Sequence, residues 1–200
     1  IILASASARR QELLSQIGVR FTVRSQDIDE SIRSGELASG YVIRMAQEKA
    51  KSALSAFHVN KDSNDTLVLA ADTSVVCDAD VLGKPVDAAD AVDMLRRLSG
   101  REHRVLSAVT LATQDKLRTV LSESRVSFRE ISIAEAQQYY RSGEPVGKAG
   151  GYAIQGYAAV FVEQLIGSYS GVMGLPLFET AQLLSEFVVP LQLTIPSVVK

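Results

Sequence analysis

The period of the hydrophobic pattern changes repeatedly along this chain, and each change predicts an element. Residues 1–4 are a short apolar run, too brief for a helix and suited to a buried strand. In residues 9–17 the apolar positions Leu13, Leu14 and Ile17 share a helical face, and Gly18 is placed to stop that helix. Val19, Phe21 and Val23 alternate with polar residues, so a strand returns there. Residues 38–57 carry a long helical pattern with Val42, Met45, Ala46, Ala50, Ala53 and Leu54 as its inward stripe. Residues 59–65 read as a loop on composition. Residues 66–71 predict a nearly continuous apolar strand ending at Asp72-Thr73, which Val75, Val76 and Cys77 continue toward a turn at residues 78–80. Asp87 is placed to cap a helix through Leu98, with Met94, Leu95 and Leu98 inward and Gly100 at its end. Residues 105–113 and 120–128 predict two strands joined around residues 114–116, and Ser132 with Glu135 forms a capping box for a helix ending near Tyr140. A Gly-rich stretch over 143–156 precedes a strand predicted at 158–165. Pro176 falls in the first turn of a last helix through about Phe187. Alternating strands and helices predict an α/β core; residues 188–200 lack a period and carry no assigned role.

Composition narrows the class without naming a function. Two hundred residues give room for one domain or for two small lobes sharing a core. A chain of this size buries roughly 70% of its unfolded surface, so no disulfide or metal is needed to hold it folded. Lys and Arg number 21 against 23 Asp and Glu, a net charge of −2, which lacks the basic footprint of a general nucleic-acid binder. The lone cysteine, Cys77, excludes an intramolecular disulfide and a cysteine-rich zinc site, which fits a reducing compartment. No apolar stretch approaches the roughly 20 residues that span a bilayer. No membrane partner is expected, and the cytoplasm is the expected location.

The candidate chemistry sits where charge interrupts the pattern. Residues 5–10 form a small-residue loop leading into a helix start, where free backbone N–H groups and the positive end of the helix dipole favour an anion. Arg9 and Arg10 add bidentate donors for phosphate there, although a solvated helix surface explains them as readily. The G-x-x-x-x-G-K loop is absent. Asp72, ending an apolar run, can bind a divalent cation or take a proton from water; the plainer reading is a turn cap with Thr73. Asp27, Asp29 and Glu30 could ligate Mg²⁺ or Mn²⁺, or be merely solvated. Lys49 lies beside the inward stripe, Lys84 stands between Gly and Pro, and Lys148 precedes two glycines. His58 and His103 fit ordinary surface or sheet positions, and no Ser-His-Asp or Cys-His set exists. What remains is positioning of a polyphosphate by cations, with a carboxylate-held metal and a carboxylate base.

Taken as a set, the motifs resemble the Maf family of nucleoside triphosphate pyrophosphatases from Leu3 to about Leu184. The family's Ser-x-Ser-Pro-Arg-Arg appears as Ser5-Ala6-Ser7-Ala8-Arg9-Arg10, its acidic residue as Glu30, and its Lys-Ala as Lys49-Ala50. Ala71-Asp72-Thr73-Ser74-Val75, Gly83-Lys84-Pro85, and Met94-Leu95 through Leu98-Ser99-Gly100 follow in order. Gly143-Glu144-Pro145, Lys148-Ala149-Gly150, Ile154-Gln155-Gly156, Gly167-Ser168-Tyr169 and Gly174-Leu175-Pro176-Leu177 complete the likeness. The resemblance implies one Maf-like domain over residues 1–187, with an elongated, mixed-sheet fold similar to that of ITPases and two lobes flanking a cleft. It implies hydrolysis of a nucleoside triphosphate to the monophosphate and pyrophosphate with Mg²⁺ or Mn²⁺, and a homodimer. By position, Asp72 would be the proton acceptor, and Arg9, Thr73 and Gln155 would set base preference. Ser7, Arg10, Lys49, Lys84 and Lys148 would hold phosphates, and Glu30 with Asp72 would hold metal. Thr73 and Gln155 resemble the branch acting on dTTP and UTP rather than the one acting on 7-methyl-GTP, since an amide offers both the donor and the acceptor of a uracil or thymine edge. Ala8, Gly147 and Gly171 depart from the family's usual Pro, Asp and polar residue. A nucleotide-binding regulatory module with little catalysis is the alternative of a different class.

Overall fold

The computed structural model describes residues 1–58 and 66–191, with the side chains of residues 57 and 58 outside that description. The loop expected at 59–65, the side chain of His58 and most of the tail therefore lie outside the described residues. Among the described residues seven strands form: β1 (Ile2–Leu3), β2 (Thr22–Val23), β3 (Val68–Cys77), β4 (Asp80–Leu82), β5 (Glu102–Ala112), β6 (Leu117–Phe128) and β7 (Val162–Ile166). They form one mixed sheet in the order β2-β1-β3-β5-β6-β7, with β4 on β3. β1 is parallel to β2 and β3, whereas β3, β5, β6 and β7 run antiparallel. The helices are α1 (Ala8–Gln16), α2 (Ala38–His58), α3 (Ala88–Leu98), α4 (Ile133–Arg141), α5 (Tyr169–Met173) and α6 (Leu177–Glu186).

β3 organises the molecule because its side chains alternate between two covered faces. Val68, Ala70 and Val76 meet the stripe of α2, where Val42, Ala46, Ala50, Ala53 and Leu54 are buried. On the other face Leu69 and Ala71 pack with Leu13 and Leu14 of α1 and Leu183 and Leu184 of α6. Further along that face Val75 and Cys77 pack with Leu95 and Leu98 of α3 and Ala136 and Tyr139 of α4. Two apolar clusters thus grip opposite ends of one strand, and Asp72-Thr73-Ser74 is the polar break between them. Those clusters are the cores of two lobes.

The cleft is a gap in the strand's edge. β5 pairs with one side of β3 from Val68 to Val76. On the other side β1 pairs with Val68 and Leu69, and β4 pairs only from Val75 onward. Between those contacts no strand among the described residues pairs with the edge, so groups on both faces of β3 are reachable from one opening.

Three expectations need correction. β3 does not end at Asp72-Thr73; it runs unbroken to Cys77, because Lys49 of α2 meets the carboxylate inside the sheet. The strand expected at 158–165 begins as a 3₁₀ segment, Tyr157–Phe161, followed by β7. There Ala158 and Phe161, three residues apart, are the buried positions, which is the eclipsed spacing of a 3₁₀ turn. Pro176 caps α6 from outside its first turn, and the short α5, capped by Ser168 and closed by Gly174 at φ +122°, had no periodic signal.

His103, on β5, is buried at 2% exposure, with Nε2 2.8 Å from the Tyr152 hydroxyl. Burial pushes its pKa down to about 4. The folded state therefore binds fewer protons than the unfolded state between that value and about 6.5, so this contribution is full above pH 6.5 and fades as pH falls through 4. From pH 7.5 to 5 the parent is expected to lose about 2 kcal/mol more unfolding free energy than His103→Gln, measured by urea denaturation. Equal losses would show that the histidine is not held neutral.

Candidate active site

The cleft encloses about 850 Å³ and is lined by all ten residues to which the resemblance gives a role: Ser7, Arg9, Arg10, Glu30, Lys49, Asp72, Thr73, Lys84, Lys148 and Gln155. Asp27 and Asp29 are not among its lining residues. Asp29 instead accepts from the Ser31 N–H at 2.9 Å and shapes its own exposed loop. Sequence neighbours at the cleft belong to different networks, because adjacent residues of a strand point to opposite faces.

On the α2 face, Lys49 is the hub. Its Nζ lies 2.7 Å from Glu30 Oε1 and 2.8 Å from Asp72 Oδ1, so one ammonium holds both carboxylates. Lys49 and Asp72 are each 9% exposed. Burial raises the Glu30 pKa, but the Lys49 hydrogen bond and the charges of Lys49, Lys84 and Arg10 outweigh it, leaving the carboxyl below its ordinary value. The loop that carries Glu30 has no regular structure and is tied to α2 by side chains. The Tyr41 hydroxyl donates to the Glu30 carbonyl at 2.9 Å, and Arg44 donates to the Ser31 carbonyl at 2.9 Å and to both oxygens of Glu36 at 2.6 Å. Burial, with the charges of Asp72 and Glu30, pushes the Tyr41 phenol up to about 12.

On the opposite face, Arg10 is the hub. Nε donates to the Gly174 carbonyl at 2.8 Å, Nη1 to Ser5 Oγ at 3.3 Å and Nη2 to Thr73 Oγ1 at 3.4 Å. Burial lowers the pKa of its guanidinium, while Asp72 and Glu30 pull it back up. Three of the five N–H groups are thus committed to the protein, which fixes the fork before any anion arrives. Thr73 Oγ1 lies 2.9 Å from Ser107 Oγ, which donates to the Gly171 carbonyl at 2.6 Å. Ser7 caps α1, its hydroxyl accepting from the Arg10 N–H at 3.4 Å, so helix formation uses the serine expected at phosphate. Ala8 simply opens the helix after that cap.

The remaining cations are more exposed. Lys84 reaches Glu30 Oε2 only at 3.9 Å. Lys148 has no carboxylate at salt-bridge distance among the described residues, which leaves its ammonium available to an anion in the cleft. Arg9 pairs with Glu12. Oriented as its neighbours require, Gln155 also accepts from Arg9 Nε at 3.2 Å and Nη2 at 3.3 Å. Gly147 stands at φ +73° in open space, so no side chain crowds this rim.

Five cleft cations face two carboxylates, an arrangement built for a substrate carrying several negative charges. Ser5, Tyr41, Ser107 and Gly174 support it; Ser5 and Gly174 stood in the quoted motifs without a role, whereas Tyr41 and Ser107 carried no motif signal, apart from Tyr41 lying about two helical turns before Lys49. No group of three or more His, Cys, Asp or Glu side chains gathers as for a metal ion among the described residues. No described helix is long and apolar enough to cross a membrane.

A family model described as Maf-like protein matches residues 1–187. The chain belongs to the Maf family. A Hahella chejuensis protein named dTTP/UTP pyrophosphatase is 51% identical over 187 residues, covering 94% of this Maf chain and 92% of its own. An Alkalilimnicola ehrlichii protein of the same name is 50% identical over 192 residues, covering 96% and 95%. A solved structure titled the structure of the Staphylococcus aureus Ham1 protein aligns at 14% identity with a TM-score of 0.47, covering 94% of this chain and 96% of that one.

Proposed function

We propose that this Maf protein hydrolyses dTTP and UTP to the monophosphate and pyrophosphate. The observation that carries the reading is the lysine that holds two carboxylates at the floor of a cationic cleft, beside an arginine–glutamine pair suited to a base. The names of the relatives favour the same substrates. Glu30 and Asp72 offer hard oxygen donors, the kind Mg²⁺ or Mn²⁺ takes together with substrate phosphates, so the residues present fit such an ion. When bound, it would neutralise charge building on the phosphates.

The chain's own groups do the rest. Arg10, Lys84 and Lys148 hold the triphosphate, with the α1 start as a further anion site. Asp72 accepts a proton from water as its oxygen attacks the α-phosphorus. The bond from that phosphorus to the bridging oxygen breaks, and pyrophosphate leaves with the electron pair. Gln155, its carbonyl engaged by Arg9, uses its NH₂ to donate to a pyrimidine carbonyl, and Thr73 holds Arg10 in place at the same wall.

Pyrophosphate release from a panel of nucleoside triphosphates, assayed with Mg²⁺ and with Mn²⁺, tests this. dTTP and UTP are expected to exceed purine triphosphates and 7-methyl-GTP by at least about tenfold, a modest demand on a hydrogen-bonded base site. Faster release from 7-methyl-GTP would overturn the base reading. Nucleotide binding with no pyrophosphate from any substrate would instead make the chain a regulatory module.

A further inference from the structure

Gln155 has a positional problem. It lies in irregular backbone between the 3₁₀ segments Ala149–Gly151 and Tyr157–Phe161, where no helix or strand ladder holds it. An amide that discriminates bases needs its donor fixed to within a few tenths of an ångström. Glu144 supplies that support from behind. Its Oε1 accepts from the Tyr139 hydroxyl at 2.6 Å and from the Ala158 N–H at 3.2 Å, and its Oε2 accepts from the Tyr157 N–H at 2.9 Å. The Tyr139 hydroxyl in turn accepts from the Ala153 N–H at 3.2 Å. The backbone is therefore tethered two residues before Gln155 and two and three residues after it, all to one pair of a buried tyrosine and a half-buried carboxylate. The contact is close enough that a Cβ at Gly156 would overlap the Glu144 carboxylate. That explains the glycine directly after the base-reading amide. Arg9 then fixes the amide from the cleft side.

We propose that Glu144 is a positioning residue for base selection, acting through Gln155. Glu144 is not among the cleft-lining residues, so it does not touch the nucleotide. The proposal rests on the pyrimidine reading above and adds to it the part that holds the reader in place. Chemistry requires an acid here. Three donors converge on the two oxygens, and the Glu144→Gln amide would turn an NH₂ toward one of them, leaving two donors face to face.

The test compares UTP with CTP, which differ in the donor and acceptor pattern that an amide reads. For Glu144→Gln, the ratio of kcat/KM for UTP over CTP is expected to fall about tenfold, mostly through KM for UTP, with kcat for UTP within about threefold of the parent. Tyr139→Phe removes one hydroxyl from the same tether and is expected to move the ratio the same way by less, which keeps the test alive should Glu144→Gln fold poorly. In a Gln155→Ala background Glu144→Gln is expected to change the ratio no further, since residues acting as one unit are not additive. Equal losses for UTP and CTP, or the same fall in ratio with Gln155 absent, would overturn the proposal. A parent protein that hydrolyses neither UTP nor dTTP would refute the proposed function instead, so the two failures are distinguishable.

Discussion

Asp72→Asn is expected to slow dTTP hydrolysis by about 10²- to 10⁴-fold, the usual worth of a positioned general base, while nucleotide affinity stays within about threefold. The substitution is nearly isosteric, and its carbonyl can still accept from Lys49 as Oδ1 does now at 2.8 Å. The position also resists rearrangement: it lies within a ten-residue strand, pairs with Ala108 of β5 and is 9% exposed. Basicity is then the main thing lost. Single-turnover kinetics at saturating metal, alongside binding of a non-hydrolysable dTTP analogue, separates the two effects. A variant that turns over at the parent rate would remove Asp72 from the mechanism.

Lys49→Met should be the more damaging change to the molecule as a whole. Methionine fills similar space, but it leaves two carboxylates in one cleft without the ammonium that now bridges them. Removing one partner of a buried ion pair costs about 3–5 kcal/mol, because the other charge stays desolvated. Activity should fall by a further factor of about 10² or more as Asp72 loses the ammonium that positions it. The pH dependence carries a sign. In the parent, Glu30 sits below its ordinary pKa of 4.5, so its contribution to stability is present above that value and fades as pH falls through the depressed one. Without Lys49 the two largest influences opposing burial are gone, and the Glu30 carboxyl rises from its value in the parent. The acidic limb of the rate profile should therefore move to higher pH, and the stability gap between variant and parent should narrow on acidification. Chemical denaturation at pH 7.5 and pH 5, with a pH–rate profile, measures both. A gap that widens toward pH 5 would mean that Lys49 does not control the Glu30 carboxylate.

Much of the fold was legible where one periodicity ran long enough to dominate. The inward stripe expected for residues 38–57 is the buried face of α2, and the Ser132–Glu135 capping box forms as drawn at the start of α4. The pattern misled where a local rule met a tertiary one. An Asp inside an apolar run normally ends a strand, and nothing local shows that a lysine 23 residues earlier will meet it. Ala158 and Phe161 suit a strand on composition, yet a spacing of three directs both to the core only in a 3₁₀ turn. Glu144 was visible only as part of a Gly-Glu-Pro motif. Its role depends on backbone N–H groups of residues 157 and 158, which no side-chain pattern encodes.

By itself the sequence determined most of the element order and the inward faces of the long elements, which are properties of local spacing and residue type. The family and the ten residues that meet in the cleft came from the resemblance carried by the ordered motifs. The tertiary structure alone decided how those ten are divided. Alternation along β3 sends Asp72 to the Lys49–Glu30 side and Thr73 to the Arg10–Ser107 side, and a gap in strand pairing opens both to one cavity. Such pairings join residues far apart in the chain, so their free energy exists only once the sheet has closed around them.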